Sequence, residues 1–248
     1  MNFPVAILAG KPAERDALLK HADIDNKVLI LHNGETILER CIKATEAFAS
    51  QYVIVGLGED SIAYHPEVPI NFIDMEGEQY DKIFATIEYL SEQGVDQTLF
   101  LSGDLPLLEK VHVQNFLEKT GDADFYYSIV PREFFDVQKG LEWGYMKIKD
   151  GSYASGNLIL IRPSKIVDKY DMIKFLSTNR KSFVLGVLRA SPILFLKLIF
   201  GRIKLHDAEQ LMTKMFGIES KLVVSSDFQI AFDLDLPEHL DWLRENRE

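Results

Sequence analysis

The sequence predicts an α/β fold in which a mixed, mainly parallel sheet is flanked by helices. Short apolar runs rich in Val, Ile, Leu and Phe alternate with helix-like stretches, as expected when strands are buried on both faces. Loops rich in Asp, Gly and Pro separate these runs. The 248 residues, 47% of them hydrophobic, are enough to bury a core without disulfides, and the chain has a single cysteine.

Eight strands and five helices are predicted in chain order. The strands are 4–9, 52–56, 70–73, 98–102, 125–130, 145–148, 157–161 and 222–225. The helices are 36–50, 79–93, 110–119, 206–216 and 237–246, the last with a proline in its first turn. Residues 126–161 show little helical periodicity, so we expect antiparallel strands there, with Asp150-Gly151 as the turn.

The charge and the apolar runs narrow the classes of function. A net charge of −11 argues against a nucleic-acid partner, because phosphate backbones are bound by basic surfaces. It does not exclude a mononucleotide, which needs only a few local donors and a metal. The sequence has no apolar run of 18 residues, and a strand rather than a signal peptide is predicted at its start. We therefore expect a cytoplasmic protein.

Two motifs in the first thirty residues are suited to binding an anion. Leu8-Ala9-Gly10-Lys11 follows the first strand, where a glycine lets backbone N–H groups approach a ligand closely. A plain turn explains this motif equally well. Lys27 lies between a loop and an apolar run, where its ammonium could neutralise a triphosphate as a point charge. The alternative is a solvated lysine at a strand edge.

Two acidic motifs are candidates for binding a metal. Asp104, in Ser102-Gly103-Asp104-Leu105-Pro106, follows a uniformly apolar strand, and Mg²⁺ prefers such hard oxygen ligands. The alternative role for Asp104 is to cap the next helix. Asp233 and Asp235 are two residues apart, so on an extended stretch they point to opposite faces. We expect Asp235 to cap the last helix and Asp233 to be the freer carboxylate, although either is a candidate ligand.

Together these motifs resemble the MobA-like nucleotidyltransferase family, whose members have a Rossmann-like, GT-A-type fold. The resemblance covers nearly the whole chain, although Lys11 and Pro12 stand where the family usually has glycine. It implies that Lys27 holds phosphate and that Asp104, with Asp233 or Asp235, binds Mg²⁺ or Mn²⁺. The implied nucleotide contacts are Leu8, Ala9, Gly10, Lys11, Lys27, Ser102 and Gly103, and the acceptor contacts are Asn157 and Arg180.

The resemblance implies a single nucleotidyltransferase-like domain over residues 1–248. Residues 1–120 would bind the nucleotide, and residues 121–248 would bind the acceptor. The implied reaction transfers NMP from an NTP to a phosphorylated or hydroxyl acceptor, either a small molecule or a lipid-linked one, and releases pyrophosphate. Two alternatives are a GT-A glycosyltransferase that uses a nucleotide-sugar and a non-catalytic nucleotide-binding protein.

Residues 180–205 combine six basic residues and no acid with long apolar runs. One interpretation is a helical hairpin packed on the sheet, with the basic side chains reaching solvent. The other is a surface that contacts an anionic membrane or holds a lipid-linked acceptor.

Overall fold

The structure, a computed structural model, describes residues 2–11, 15–75, 79–138, 141, 143–178 and 180–246. In this part of the chain the strands are β1 (Phe3–Leu8), β2 (Leu31–His32), β3 (Glu35–Thr36), β4 (Ala49–Val55), β5 (Ile70–Ile73), β6 (Thr98–Ser102), β7 (Phe125–Pro131), β8 (Tyr145–Ile148), β9 (Gly151–Ile161) and β10 (Ser220–Val224). The α-helices are α1 (Ala17–Ala22), α2 (Ile37–Thr45), α3 (Gln79–Glu92), α4 (Lys110–Leu117), α5 (Pro163–Ile166), α6 (Tyr170–Thr178), α7 (Arg180–Ala190), α8 (Pro192–Ile199), α9 (Leu205–Phe216) and α10 (Pro237–Glu245).

The main sheet has the strand order β10-β7-β9-β6-β1-β4-β5, and β8 pairs with β9 beside this path. The pairs β1–β4, β1–β6, β4–β5 and β7–β10 are parallel. Strands β2 and β3 form a separate antiparallel pair. The antiparallel pairs described in the main sheet all involve β9, which lies between β6 and β7 and also pairs with β8. This mixed, mainly parallel sheet flanked by helices confirms the predicted fold class.

Both faces of the central strands are buried, which is why their sequences show no polar alternation. Val5 and Ile7 of β1 pack in a cluster with Leu38 and Ile42 of α2. Ala6, on the opposite face of the same strand, belongs to a second cluster formed with α3. The sheet is therefore covered on both sides. Across the described residues, no helix combines the length and apolarity that a membrane span requires.

The first predicted helix is shorter than expected. Thr36 is its N-cap and exchanges hydrogen bonds with Glu39, so α2 begins at residue 37. The helix ends at Thr45, whose hydroxyl donates to the carbonyl groups of Cys41 and Ile42. The Tyr52 hydroxyl of β4 also donates to the Ile42 carbonyl, which ties the end of the helix to the next strand. A 3-10 turn follows, and the chain joins β4 at residue 49.

Several elements were not predicted. Helices α1, α5 and α6 are absent from the predicted set, and β9 begins six residues earlier than expected because β8 pairs with residues 151–154. The turn at Asp150-Gly151 and the antiparallel strands around it agree with the prediction. The parallel register places Leu8 beside Ser102, so the loops after β1 and β6 meet at one edge of the sheet.

Candidate active site at the carboxyl edge of the sheet

The loop after β1 is held by backbone contacts. The Ala9 N–H donates to the carbonyl of Val55 at 2.9 Å, and the Ala9 carbonyl accepts from the side-chain amide of Asn26 at 2.8 Å. Gly10 packs directly against Gly56, where a Cβ would stand 2.5 Å from the Gly10 Cα. Because Gly10 and Lys11 are themselves exposed, the loop offers its backbone to a ligand at the edge of the sheet.

The loop after β6 buries one carboxylate. Asp104 is only 3% exposed, and one of its oxygens accepts from the Ser102 hydroxyl. A Cβ on Gly103 would stand 3.0 Å from the carbonyl oxygen of Leu8, so this loop also packs tightly on β1. The next helix, α4, has Glu109 as its N-cap. The alternative role of Asp104 as a helix cap is therefore wrong.

Lys27 connects the two loops to the C-terminal part of the chain. It opens a 3-10 turn that Asn26 fixes by accepting from the Val28 N–H. Its ammonium nitrogen lies 2.5 Å from Asp104 Oδ2 and 2.6 Å from Asp235 Oδ1. Burial lowers the pKa of Lys27, but the two carboxylates raise it more, so that the net pKa lies above its usual range. Lys27 is thus a charged bridge between two acids, and its interpretation as a solvated lysine is wrong.

Asp233 and Asp235 do not have the geometry expected for them. Asp104, Asp233 and Asp235 each contribute one carboxylate oxygen to a group whose members all lie within 4.8 Å of one another. Asp233 and Asp235 therefore face the same site. The expectation of opposite faces is wrong because residues 232–235 are outside any strand, and Phe232 has φ −90° and ψ 81°. The Leu234 N–H donates to the Asp104 carbonyl, which fixes this segment against the β6 loop.

The expected capping role of Asp235 is also wrong. Asp235 does not cap α10, whose N-cap is Leu236, and its side chain is 58% exposed. Asp233, which was expected to have no capping role, is the more buried of the two. Its burial raises its pKa to about 7, with further contributions from the charges of Asp235 and Asp104.

The cluster is suited to a hard divalent cation. In the part of the chain that the structure describes, the three carboxylates of this cluster outnumber the one ammonium in direct contact with them, that of Lys27. Mg²⁺ takes oxygen ligands at about 2.1 Å, which places opposite ligands on one ion about 4 Å apart. The observed spread of up to 4.8 Å requires only small side-chain movements. The donor set of Asp104, Asp233 and Asp235 therefore fits Mg²⁺ or Mn²⁺.

Two further residues at the site were missed in the sequence. Lys82 comes from α3, and its ammonium lies 3.7 Å from the position that a Cβ on Gly10 would occupy. His239 Nδ1 lies 3.1 Å from the Asp233 carbonyl oxygen and 3.5 Å from the Asp235 nitrogen, and its ring stacks on Trp143. Lys82 lies in an ordinary amphipathic helix, whereas the spacing of His239 four residues after Asp235 was a signal that could have been used.

The two predicted acceptor residues are not part of this cluster. The Asn157 side-chain amide donates to the Ile230 carbonyl at 3.3 Å. Asn157 comes directly before Leu158, the first residue of β9 that pairs with β6. Arg180 is the first residue of α7, and its side chain lies outside the described residues.

Comparison with known proteins agrees with this geometry. The family model for the MobA-like NTP transferase domain matches residues 5–167. A solved hypothetical transferase from Thermus thermophilus is 23% identical, with a TM-score of 0.77 over 97% of this chain and 100% of that one. The 2-C-methyl-D-erythritol 4-phosphate cytidylyltransferase of Francisella tularensis is 14% identical, with a TM-score of 0.58 over 98% and 99%. At such low sequence identities, the structural similarity shows that these proteins share the fold of this chain. No curated protein gives a match.

Proposed function

The chain belongs to the family of MobA-like NTP transferase domains, and we propose that it is a Mg²⁺-dependent nucleotidyltransferase acting at the carboxyl edge of its sheet. The proposed reaction transfers NMP from an NTP to a phosphorylated or hydroxyl acceptor. The observation that carries the proposal is the meeting of Asp104, Asp233, Asp235 and Lys27 beside the β1 loop. These residues come from distant parts of the sequence, yet they form one cluster of opposite charges.

In this reaction an oxygen of the acceptor attacks the α-phosphorus of the NTP. The new P–O bond forms as the bond to the β-phosphate oxygen breaks, and pyrophosphate leaves with the electron pair. The protein contributes alignment and charge neutralisation rather than a covalent intermediate. Mg²⁺ held by Asp104 with Asp233 or Asp235 would stabilise negative charge on the phosphates.

Lys27 has two successive partners in this proposal. Its ammonium bridges Asp104 and Asp235 in the structure. With a divalent cation held by these acids, the Lys27 ammonium would be free to donate to the phosphates that become pyrophosphate. In the metal-free protein the two carboxylates keep the Lys27 side chain charged, because they raise its pKa.

The nucleotide would lie along the β1 loop. The exposed backbone of Gly10 and Lys11 faces this edge, and the ammonium of Lys82 lies beside Gly10. Asn157 and Arg180 remain the proposed acceptor contacts, and the acceptor is either a small molecule or a lipid-linked one. The place of Asn157 supports this assignment, because it comes directly before Leu158, the partner of Leu101, and so lies level with the end of β6.

The test measures nucleotide binding and pyrophosphate release. Each NTP and a set of nucleotide-sugars are titrated with Mg²⁺ into the protein and into the Asp104→Asn variant, with Asp122→Asn as a control at an exposed acid. We expect an NTP to bind in a Mg²⁺-dependent way. Asp104→Asn should weaken this binding by roughly 100-fold or more, because losing a residue that only supports a metal ligand typically costs less than that. Binding of nucleotide-sugars alone, or unchanged affinity in Asp104→Asn, would contradict the proposal.

A further inference from the structure

Helices α7 and α8 present a surface that the proposed function does not use. Its exposed apolar side chains include two of the most exposed in the described part of the chain, Ile193 at 71% and Phe200 at 69%. We call it the apolar–basic surface, and its apolar members are Leu185, Leu188, Ile193, Leu196, Ile199 and Phe200.

The apolar members of α8 lie on one side of the helix. Ile193, Leu196 and Ile199 are three residues apart, a spacing that places them on neighbouring turns of one face. Leu194 points the other way and packs with Val187 in a separate buried cluster. The helix is therefore held by its inner face, and the outward apolar stripe is not needed to anchor it.

The segment that carries this stripe has a charge opposite to that of the whole protein, although its Lys197 is ion-paired with Asp207 of α9. Residues 180–205 contain six basic residues and no acid, in a chain whose net charge is −11. Arg189 follows the apolar pair of α7 and Arg202 follows Phe200, and both are exposed. A positively charged rim beside exposed apolar side chains complements a layer that offers phosphate groups above hydrocarbon.

We propose that the apolar–basic surface docks on an anionic lipid membrane. A second copy of the chain is a poorer partner, because a two-fold interface brings each patch against the same patch. Arg189 and Arg202 would then face like charges in the copy. An anionic bilayer instead accepts the apolar side chains among its acyl chains and pairs the arginines with its phosphates.

The surface is joined to the side of the sheet that carries the candidate active site. Leu101 of β6 pairs with Leu158, so β9 residues before 157 extend past the end of β6, and the turn at Gly151 lies about 20 Å further on. The Lys149 N–H donates to the Ile203 carbonyl at 2.7 Å, and the Leu205 N–H donates to Asp150. Helices α7 and α8 are therefore linked through residues 203–205 to the β8–β9 turn, which lies beyond the carboxyl end of β6.

The experiment measures co-sedimentation of the full chain with vesicles, without nucleotide. Vesicles of phosphatidylcholine alone are compared with equimolar phosphatidylcholine and phosphatidylglycerol, at low and high salt. We expect sedimentation with the anionic vesicles, and less of it at high salt. Because this readout needs neither nucleotide nor turnover, it is independent of the proposed reaction.

Variants separate the two parts of the surface. Arg189→Gln and Arg202→Gln should each lower partition into anionic vesicles by roughly five-fold. Phe200→Asn should lower it by roughly ten-fold or more. The matched controls are Lys110→Gln and Val111→Asn, at exposed positions of α4, and both should sediment like the unchanged protein.

Three results would overturn the proposal. The first is equal recovery of the protein in the supernatant with and without anionic vesicles. The second is binding that the α4 controls reduce as much as the α7 and α8 variants do. The third is a stable homodimer, seen by light scattering, that Phe200→Asn dissociates. Thermal melts of every variant show whether a loss of binding reflects unfolding.

Discussion

Replacing Lys27 with methionine should destabilise the metal-free protein and, at the same time, tighten its binding of a divalent cation. Asp104 is buried, and it would lose the ammonium that lies 2.5 Å from its carboxylate. The Ser102 hydroxyl would remain as a hydrogen-bond donor to it. Removing one partner of a buried ion pair costs about 3–5 kcal/mol. The bond to Asp235 adds little, because that carboxylate is 58% exposed. For a chain of this size, the loss corresponds to a drop in Tm of roughly 6–20 °C.

The gain in cation affinity has the same origin. A lysine ammonium about 4 Å from a bound cation repels it by several kcal/mol at an effective dielectric constant of about 20. Removing Lys27 should therefore tighten Mn²⁺ binding by at least roughly ten-fold, even after allowance for screening. Thermal melts without metal and calorimetric titration with Mn²⁺, both without nucleotide, measure the two effects. Lys20→Met, at an exposed position of α1, is the control.

Two outcomes would refute this reasoning. An unchanged Tm in Lys27→Met would mean that the bridge contributes nothing to the buried carboxylate. Mn²⁺ affinity that stays the same or falls would mean that Lys27 does not occupy the place of a cation. Pyrophosphate release should fall in the same variant, because the proposed contact of Lys27 with the leaving group is lost.

Two further predictions concern Asp233 and the neighbouring His239. The pKa of Asp233 is about 7 in the fold against an ordinary 3.8, so the metal-free fold becomes less stable as pH rises from about 4 to 7. At pH 8, Asp233→Asn should therefore be more stable than the unchanged protein by up to roughly 4 kcal/mol, and below pH 4 the two should be equally stable. Equal denaturation midpoints at pH 8 would contradict this prediction. His239 contacts the backbone of Asp233, so His239→Gln should weaken Mn²⁺ binding by roughly 10–100-fold in calorimetry. His112→Gln, at a buried histidine of α4, is the control and should leave Mn²⁺ binding unchanged. Equal losses in the two variants would argue for general destabilisation.

Much of the fold could be predicted because local signals agree with the tertiary structure. Strands β5, β6 and β8 have the predicted bounds, since each is a short apolar or alternating run between turn residues. The place of Asp104 is also foreseeable, because it follows the buried parallel strand β6 and parallel strands bring their carboxyl ends to one edge. Lys27 instead opens a 3-10 turn, so the family resemblance, rather than a place at a strand end, pointed to its role.

The arrangement of Asp233 and Asp235 could not be predicted in this way. The prediction assumed an extended backbone, but the chain leaves that conformation at Phe232 and is held by a hydrogen bond to the Asp104 carbonyl. Lys82 illustrates a related limit. Its sequence neighbourhood is that of an exposed helix, and only the packing of α3 beside Gly10 shows where its ammonium lies.

The position of β9 has a consequence for the order in which the chain folds. This strand pairs with β6 on one side and β7 on the other, although it follows β6 by about fifty residues in the sequence. A nascent chain that has emerged only to residue 120 therefore carries β1, β4, β5 and β6 with one long edge of β6 unpaired. Such an edge is a template for aggregation. The exposed edge of β6 is therefore covered only after synthesis has passed residues 151–161, which complete the sheet.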